Sequence, residues 1–140
     1  MIEVSPYLQF NGDCEVAFAF YKSVFGGEFE FLYRYKDVPT EKPLSEWEKE
    51  KIMHISLPLM KGVNLLGMDV LDVAEKSIAN RITIGIRTNN EEDTLRIFNA
   101  LATDGDIIQP LQKAFFADLF GSVTDKFGFN WSINCNIGKQ

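Results

Sequence analysis

The segment "FNWSINCN", Phe129 to Asn136, alternates small polar side chains with apolar ones. At a repeat of two, Asn130, Ser132, Asn134 and Asn136 fall on one side of a strand and Trp131, Ile133 and Cys135 on the other. Amides and hydroxyls donate and accept hydrogen bonds without charge, so that face suits a neutral or mixed polar ligand. Arg81 and Arg87 lie on the non-apolar face of another alternating segment, "RITIGIRT". There a guanidinium can grip a carboxylate or phosphate through two parallel hydrogen bonds, or serve as a solvated edge or a dimer salt bridge. His54, the only histidine, sits in "KIMHISLPL", and the following strand carries Asp69. Three readings stay open for it: a hydrogen-bonded structural residue, a ligand contact or acid/base, and a metal ligand with Asp69. Tyr7, Gln9 and Gln112 can orient a polar ligand or form strand surface. Phe115, Phe116 and Phe120 can wall an apolar pocket or pack in a core. Cys14 stands at a helix start, where a thiol pKa can fall, although packing is the simpler role.

The whole-chain numbers restrict the chemistry further. At 140 residues with 46% hydrophobic and 13% aromatic residues, one globular domain is expected. The net charge of -6 leaves no basic stripe for nucleic acid. No apolar run reaches the roughly 18 residues of a membrane span. The N-terminal "MIEVSPYLQF" lacks a basic leader pattern, and two cysteines are too few for a disulfide framework, so a reduced, cytoplasmic protein is expected. Phosphate loops, paired CxxC motifs and dinucleotide fingerprints are absent, and a single histidine supports no convincing Ser/His/Asp triad.

The elements that must position these residues follow from periodicity. "SPYLQF" reads as a strand, with Asp13 as N-cap of a helix whose buried stripe is Ala17, Phe20, Tyr21, Val24 and Phe25, ended by Gly26 and Gly27. "EFEFLYRY" alternates as a strand. Residues 36–50 form a polar loop with a helical turn starting at Ser45, and Trp47 serves there as lid or anchor. Two strands then flank the turn "MKG". After a connection over 71–80 the order repeats: strand 81–88, a helix from Asn90 with Leu95, Phe98, Leu101 and Ala102 inward and Gly105 closing it, then three strands. The expected fold is α+β, two βαβββ modules in one domain, about 1–73 and about 77–140.

The stretches "PYLQFNGDCEVAFAFYKSVFGGE", "HISLPLMKGVNLLGMD" and "QKAFFADLFGSVTDKFGFNWSIN" resemble the PhnB-like branch of the vicinal oxygen chelate superfamily, which contains glyoxalases, bleomycin- and fosfomycin-resistance proteins and extradiol dioxygenases. The resemblance spans nearly the whole chain, with Phe116 standing where many relatives carry Trp. It implies curved mixed sheets around a cleft, usually in a homodimer. Metal-dependent members carry ligands on the first and last strand of each module. Those positions fall here at Ser5 (or Pro6), near Leu65, at Arg81 and at Ser132, none of them a good ligand for a divalent ion.

The resemblance therefore implies a homodimer that binds a small organic molecule, with no cofactor and no metal of the usual kind. The ligand-binding candidates are Tyr7, Gln9, His54, Arg81, Gln112, Phe116, Ser132 and Asn134, and His54 is the one catalytic candidate. The alternative is a glyoxalase-like enzyme acting on a small oxygenated metabolite. The branch often bears a demethylubiquinone methyltransferase label. The absence of a Gly-rich loop after a first parallel strand argues against that chemistry.

Overall fold

A computed structural model of the chain describes residues 5–60, 63–71 and 82–137. The chain divides into two compact units, Met1–Glu75 and Lys76–Gln140. Arg81 and most of the expected 71–80 connection lie outside the described residues.

Unit 1 runs β1 (Tyr7–Phe10), α1 (Cys14–Phe25), β2 (Phe31–Arg34), α2 (Glu46–Glu50), β3 (Ile52–Met60) and β4 (Val63–Asp69). Its sheet has the order β1-β4-β3-β2, with β1 parallel to β4 and the other pairs antiparallel. Unit 2 repeats the plan with β5 (Thr83–Thr88), α3 (Glu91–Ala102), β6 (Asp106–Ala114), β7 (Ala117–Thr124) and β8 (Asn130–Cys135), in the order β5-β8-β7-β6. Each unit is thus a four-stranded mixed sheet with a long helix against it, the two βαβββ modules expected from the sequence. No helix among the described residues is long and apolar enough to cross a membrane.

In unit 1 the core lies between α1 and one sheet face. Leu8 and Phe10 of β1, Ile55 and Leu57 of β3, and Leu65 of β4 are all buried. The helix meets them with Cys14, Ala17, Phe18, Tyr21 and Val24. Phe20 and Phe25, expected in this stripe, are only half-buried. The 14-17-18-21-24 spacing keeps a single helical face inward, and Phe20 lies off it. Gly67 permits the close approach, since a Cβ there would stand 2.3 Å from Phe18 Cε1.

The start of α1 is capped from a distance. Asp13 makes no side-chain cap. The buried Asp69 carboxylate at the end of β4 replaces it, with Oδ1 accepting from Gly12 N (2.8 Å) and Cys14 N (3.0 Å). Its Oδ2 accepts from Ile52 N at 2.9 Å, tying β3 to the same point. The loop before β3 is anchored as well. Arg34 grips Glu15 with both terminal guanidinium nitrogens, at 2.9 and 2.7 Å, and donates to Glu50 O. That hydrogen-bonded fork holds the Glu15 carboxyl below its ordinary range. Trp47 rests against Gly12 and under Lys51 Nζ, 4.7 Å from the ring centre, so it serves as an anchor of this loop. Ser45 caps α2 as expected, accepting from Glu48 N while Glu48 accepts from Ser45 N.

Unit 2 buries Trp131, Ile133 and Cys135 of β8, with Val123 of β7, on the helix side. Asn90 caps α3, accepting from Asp93 N at 2.7 Å. The buried stripe of α3 is Thr94, Ile97, Phe98 and Leu101. Leu95 and Ala102, expected inward, are respectively exposed and half-buried. Thr94 takes an inward place because its hydroxyl donates to Asn90 O and pairs with the Thr88 hydroxyl. Gly105 follows the helix, but its necessity lies elsewhere: a Cβ there would collide with the Thr124 carbonyl. The Trp131 indole donates to buried Asp125 at 2.8 Å, and Asp125 also accepts from Phe127 N and Phe129 N, fixing the turn into β8.

These contacts predict that Trp131→Ala destabilises the protein by about 3–5 kcal/mol. Gly67→Ala costs about 1–3 kcal/mol, since the added methyl must displace Phe18. Urea unfolding followed by circular dichroism measures both.

Candidate functional site

The face of each sheet turned away from its helix gathers the polar and aromatic residues. In unit 1 the register places Tyr7, Leu66, Ser56 and Phe31 in one row across the sheet, followed by Gln9, Met68, His54 and Tyr33. Tyr7 and Tyr33 are 46% and 47% exposed, so the row ends are accessible. The Tyr7 hydroxyl lies 2.6 Å from His54 Nδ1. The imidazole stacks on Phe31, with centroids 4.9 Å apart and planes at 15°, and meets Tyr7 edge-on. Burial first, and then Cys14, raises the Tyr7 phenol above its ordinary pKa, so it stays protonated. The contact engages Nδ1, with the donor set by the imidazole tautomer, and leaves the second ring nitrogen, Nε2. That nitrogen has no partner among the described residues. At one end of this face Glu30 accepts from Ser56 Oγ and Asn64 Nδ2, both at 3.1 Å.

Sequence reasoning paired His54 with Asp69 as a possible metal site. The structure separates them. Asp69 lies on the α1 side of β4 and spends both oxygens on backbone N–H groups, while His54 lies on the opposite face beside Tyr7. Leu65, near which the resemblance places a ligand position, is likewise core-facing, and a shift of one residue along a strand inverts its side. Leu66 occupies the outer face instead.

In unit 2 the corresponding rows are Thr83, Asn130, Thr124 and Asp106; then Gly85, Ser132, Ser122 and Gln109; then Arg87, Asn134, Phe120 and Gln112. Asn130, Ser132 and Asn134 are half-buried on this face, and Gln112 is exposed. Phe116, exposed in the turn from β6 to β7, packs edge-on against Phe120 with centroids 5.1 Å apart. Of the sequence candidates, unit 1 brings together Tyr7, Gln9 and His54, and unit 2 brings together Ser132, Asn134 and Gln112, with Phe116 reaching them through Phe120. Phe31, Tyr33, Leu66, Met68 and Ser122 were not singled out from the sequence. Phe31 and Tyr33 belonged to a recognised alternation, but only strand register puts them beside His54.

The paired first and last strands are where the superfamily holds a metal. Here their outward residues are Tyr7, Gln9, Leu66 and Met68 in unit 1, and Thr83, Gly85, Arg87, Asn130, Ser132 and Asn134 in unit 2. This set has no imidazole, carboxylate or thiolate and does not fit such a centre. Among the described residues no group of three or more His, Cys, Asp or Glu could hold a metal ion.

The family model described as 3-demethylubiquinone-9 3-methyltransferase matches residues 2–134. The chain belongs to this PhnB-like family. It is 30% identical over 139 residues to Protein YjdN of Escherichia coli (strain K12), covering 94% of this chain and 93% of that protein. Among solved structures it is similar to protein PA1353 from Pseudomonas aeruginosa, at 34% identity and TM-score 0.87, over 98% of this chain and 99% of the other. The putative 3-demethylubiquinone-9 3-methyltransferase, PhnB protein, from Bacillus cereus is 25% identical with TM-score 0.78, over 96% and 99%. A glyoxalase-related enzyme from Fulvimarina pelagi shares the fold at 20% identity and TM-score 0.65, over 97% and 89%. The family's fold is that of the glyoxalase and bleomycin-resistance superfamily.

Neither cysteine is placed for chemistry. Both are buried and free. Burial first, then the carboxylates of Asp69 and Glu15, push the Cys14 thiol far up, opposite to the lowering that a helix start can produce. Native protein should therefore leave both thiols unmodified by a disulfide reagent that titrates two equivalents in denaturant. Rapid labelling of the native chain would contradict this placement.

Proposed function

We propose that the protein binds a small organic molecule without the superfamily's metal centre. The carrying observation is the Tyr7–His54 pair set among Phe31 and Tyr33, with Nε2 left to meet a ligand. The rings offer a surface for a flat or unsaturated group, and Nε2 offers one directed hydrogen bond. Ligand extraction with mass spectrometry, beside elemental analysis, tests the reading. The expected result is a co-purifying small molecule whose binding survives chelation and falls about tenfold or more in His54→Ala. Stoichiometric Ni, Zn, Mn or Fe at the paired strands would overturn the metal-free part. Unchanged binding in His54→Ala would overturn the site.

The second reading is a glyoxalase-like enzyme, favoured by the 2.6 Å Tyr7–His54 contact, which is short enough to pass a proton. Exchange of solvent deuterium into the bound molecule would distinguish catalysis from sequestration. The name printed for the Bacillus cereus relative and for the family suggests methyl transfer. The β1–α1 turn does not favour it. Gly12 N and Cys14 N, which a nucleoside-binding turn would offer to its ligand, are occupied by Asp69.

We also propose a homodimer, and a cytoplasmic one. The edge strand β6 exposes Ile107 (54%) and Ile108 (60%), and Phe115 beyond its end is fully exposed, an apolar strip suited to a second copy. Sedimentation at micromolar concentration is expected to give about twice the 15.9 kDa chain mass. A monomer would overturn the pairing.

A further inference from the structure

Unit 2 has an outer face unlike that of unit 1, and its hydrogen bonds give it a sign. Thr124 Oγ1 donates to Asn130 Oδ1 at 2.7 Å, and Asn136 Nδ2 donates to Asn134 Oδ1 at 2.9 Å. Asn134 thereby spends its carbonyl oxygen within the protein and keeps its NH2 group as a donor. Ser132 and Ser122 lie opposite one another in register, half-buried, and neither hydroxyl has a partner among the described residues. Arg87 stands in register with Asn134 and makes no ion pair among the described residues. Gly85, between Thr83 and Arg87 on that face, leaves a gap: a Cβ there would meet only Ser132 Oγ, at 3.6 Å.

Two acids share this face, and neither forms an ion pair with Arg87 among the described residues. Asp118, on the outward side of β7, accepts from Ile137 N at 2.7 Å, and Asp106 lies at the far end, in the Thr83 row. A face with the Asn134 NH2 donor, the Arg87 cation and a gap beside two hydroxyls is complementary to an acceptor-only group carrying negative charge. We infer that the outer face of unit 2 is an oxyanion site, in which Arg87, Asn134 and Ser132 hold a carboxylate or phosphoryl group over Gly85. The site rests on unit 2 alone and does not depend on the aromatic face of unit 1, so the two stand or fall separately.

Amide and arginine-side-chain NMR of the full chain tests it. Sodium phosphate and sodium acetate are titrated separately, with ionic strength held constant by sodium chloride. The expected result is a saturable shift of the Gly85, Ser122, Ser132 and Asn134 amides and of the Arg87 Nε–H. A response to phosphate alone assigns a phosphoryl group, to acetate alone a carboxylate, and to both an oxyanion in general. Arg87→Gln should weaken the response about tenfold or more while keeping a dispersed spectrum. Gly85→Val, which fills the gap without changing charge, should weaken it too. Arg96→Gln, on the exposed side of α3, should not. Absence of a saturable shift with either anion, or an unchanged response in Arg87→Gln, would overturn the site.

Discussion

One carboxylate holds unit 1 in register. Asp69, buried at the end of β4, accepts three backbone hydrogen bonds from two segments distant in sequence, the β1–α1 turn and the start of β3. Its own carbonyl takes the Tyr35 hydroxyl at 2.8 Å. A buried carboxylate without such partners would be costly, and buried N–H groups without an acceptor would be nearly as unfavourable. The arrangement satisfies both at once. It also sets the phase of β4 and β3, and hence brings His54 within reach of the Tyr7 hydroxyl in the neighbouring row. Without that phase Phe31 would not lie against the imidazole. Asp125 plays the matching part in unit 2, where one aspartate closes the turn before β8 and anchors the Trp131 indole. With the ring fixed inward, strand alternation turns Asn130, Ser132 and Asn134 outward.

The inner faces need volume, and the outer faces need chemistry. Gly67 under Phe18 and Gly121 under Phe98 allow the helices to approach their sheets where any side chain would intervene. Because the cores are filled from the helix side, substitutions on the outer faces change surface chemistry without disturbing the packing. Two modules of one plan have used that freedom differently. The outer face of unit 1 is aromatic, with one histidine and a carboxylate at its end. The outer face of unit 2 is amide and hydroxyl, with an arginine. Shared fold does not imply shared chemistry even within one chain.

What the sequence showed, and what it hid, divides along the same line. Element order, the Asn90 and Ser45 caps and the facing of β8 were legible because each is local: a repeat of two, a cap three residues from its partner. The role of Asp69 was not legible, since its hydrogen bonds reach 55 and 57 residues back to Cys14 and Gly12, and the nearer Asp13 looked like the natural cap. The ligand position carried over from the resemblance fell only near Leu65, and a shift of one residue along β4 inverts its side. Thr94 was overlooked in the α3 stripe because a threonine reads as polar until its hydroxyl is satisfied. The neighbours of His54 depended on strand register, and β2 meets β3 through a shift between Tyr33 and Arg34 that no pattern announces.

That shift explains why His54 faces outward at all. Ile52 is fully buried and pairs with Arg34, while His54 pairs with Tyr33, so two residues of β3 advance against one of β2. A bulge of this kind re-aims the strand on one side of it. An unbroken alternation would put Ile52 and His54 on the same face and make one of them pay, either an isoleucine in solvent or an imidazole in the core. The irregularity lets the start of β3 bury Ile52 and give its N–H to Asp69, and still deliver the imidazole to Tyr7 on the other side. The strand departs from regular pairing at the point where the core and the Tyr7–His54 contact make opposite demands on it, two residues apart.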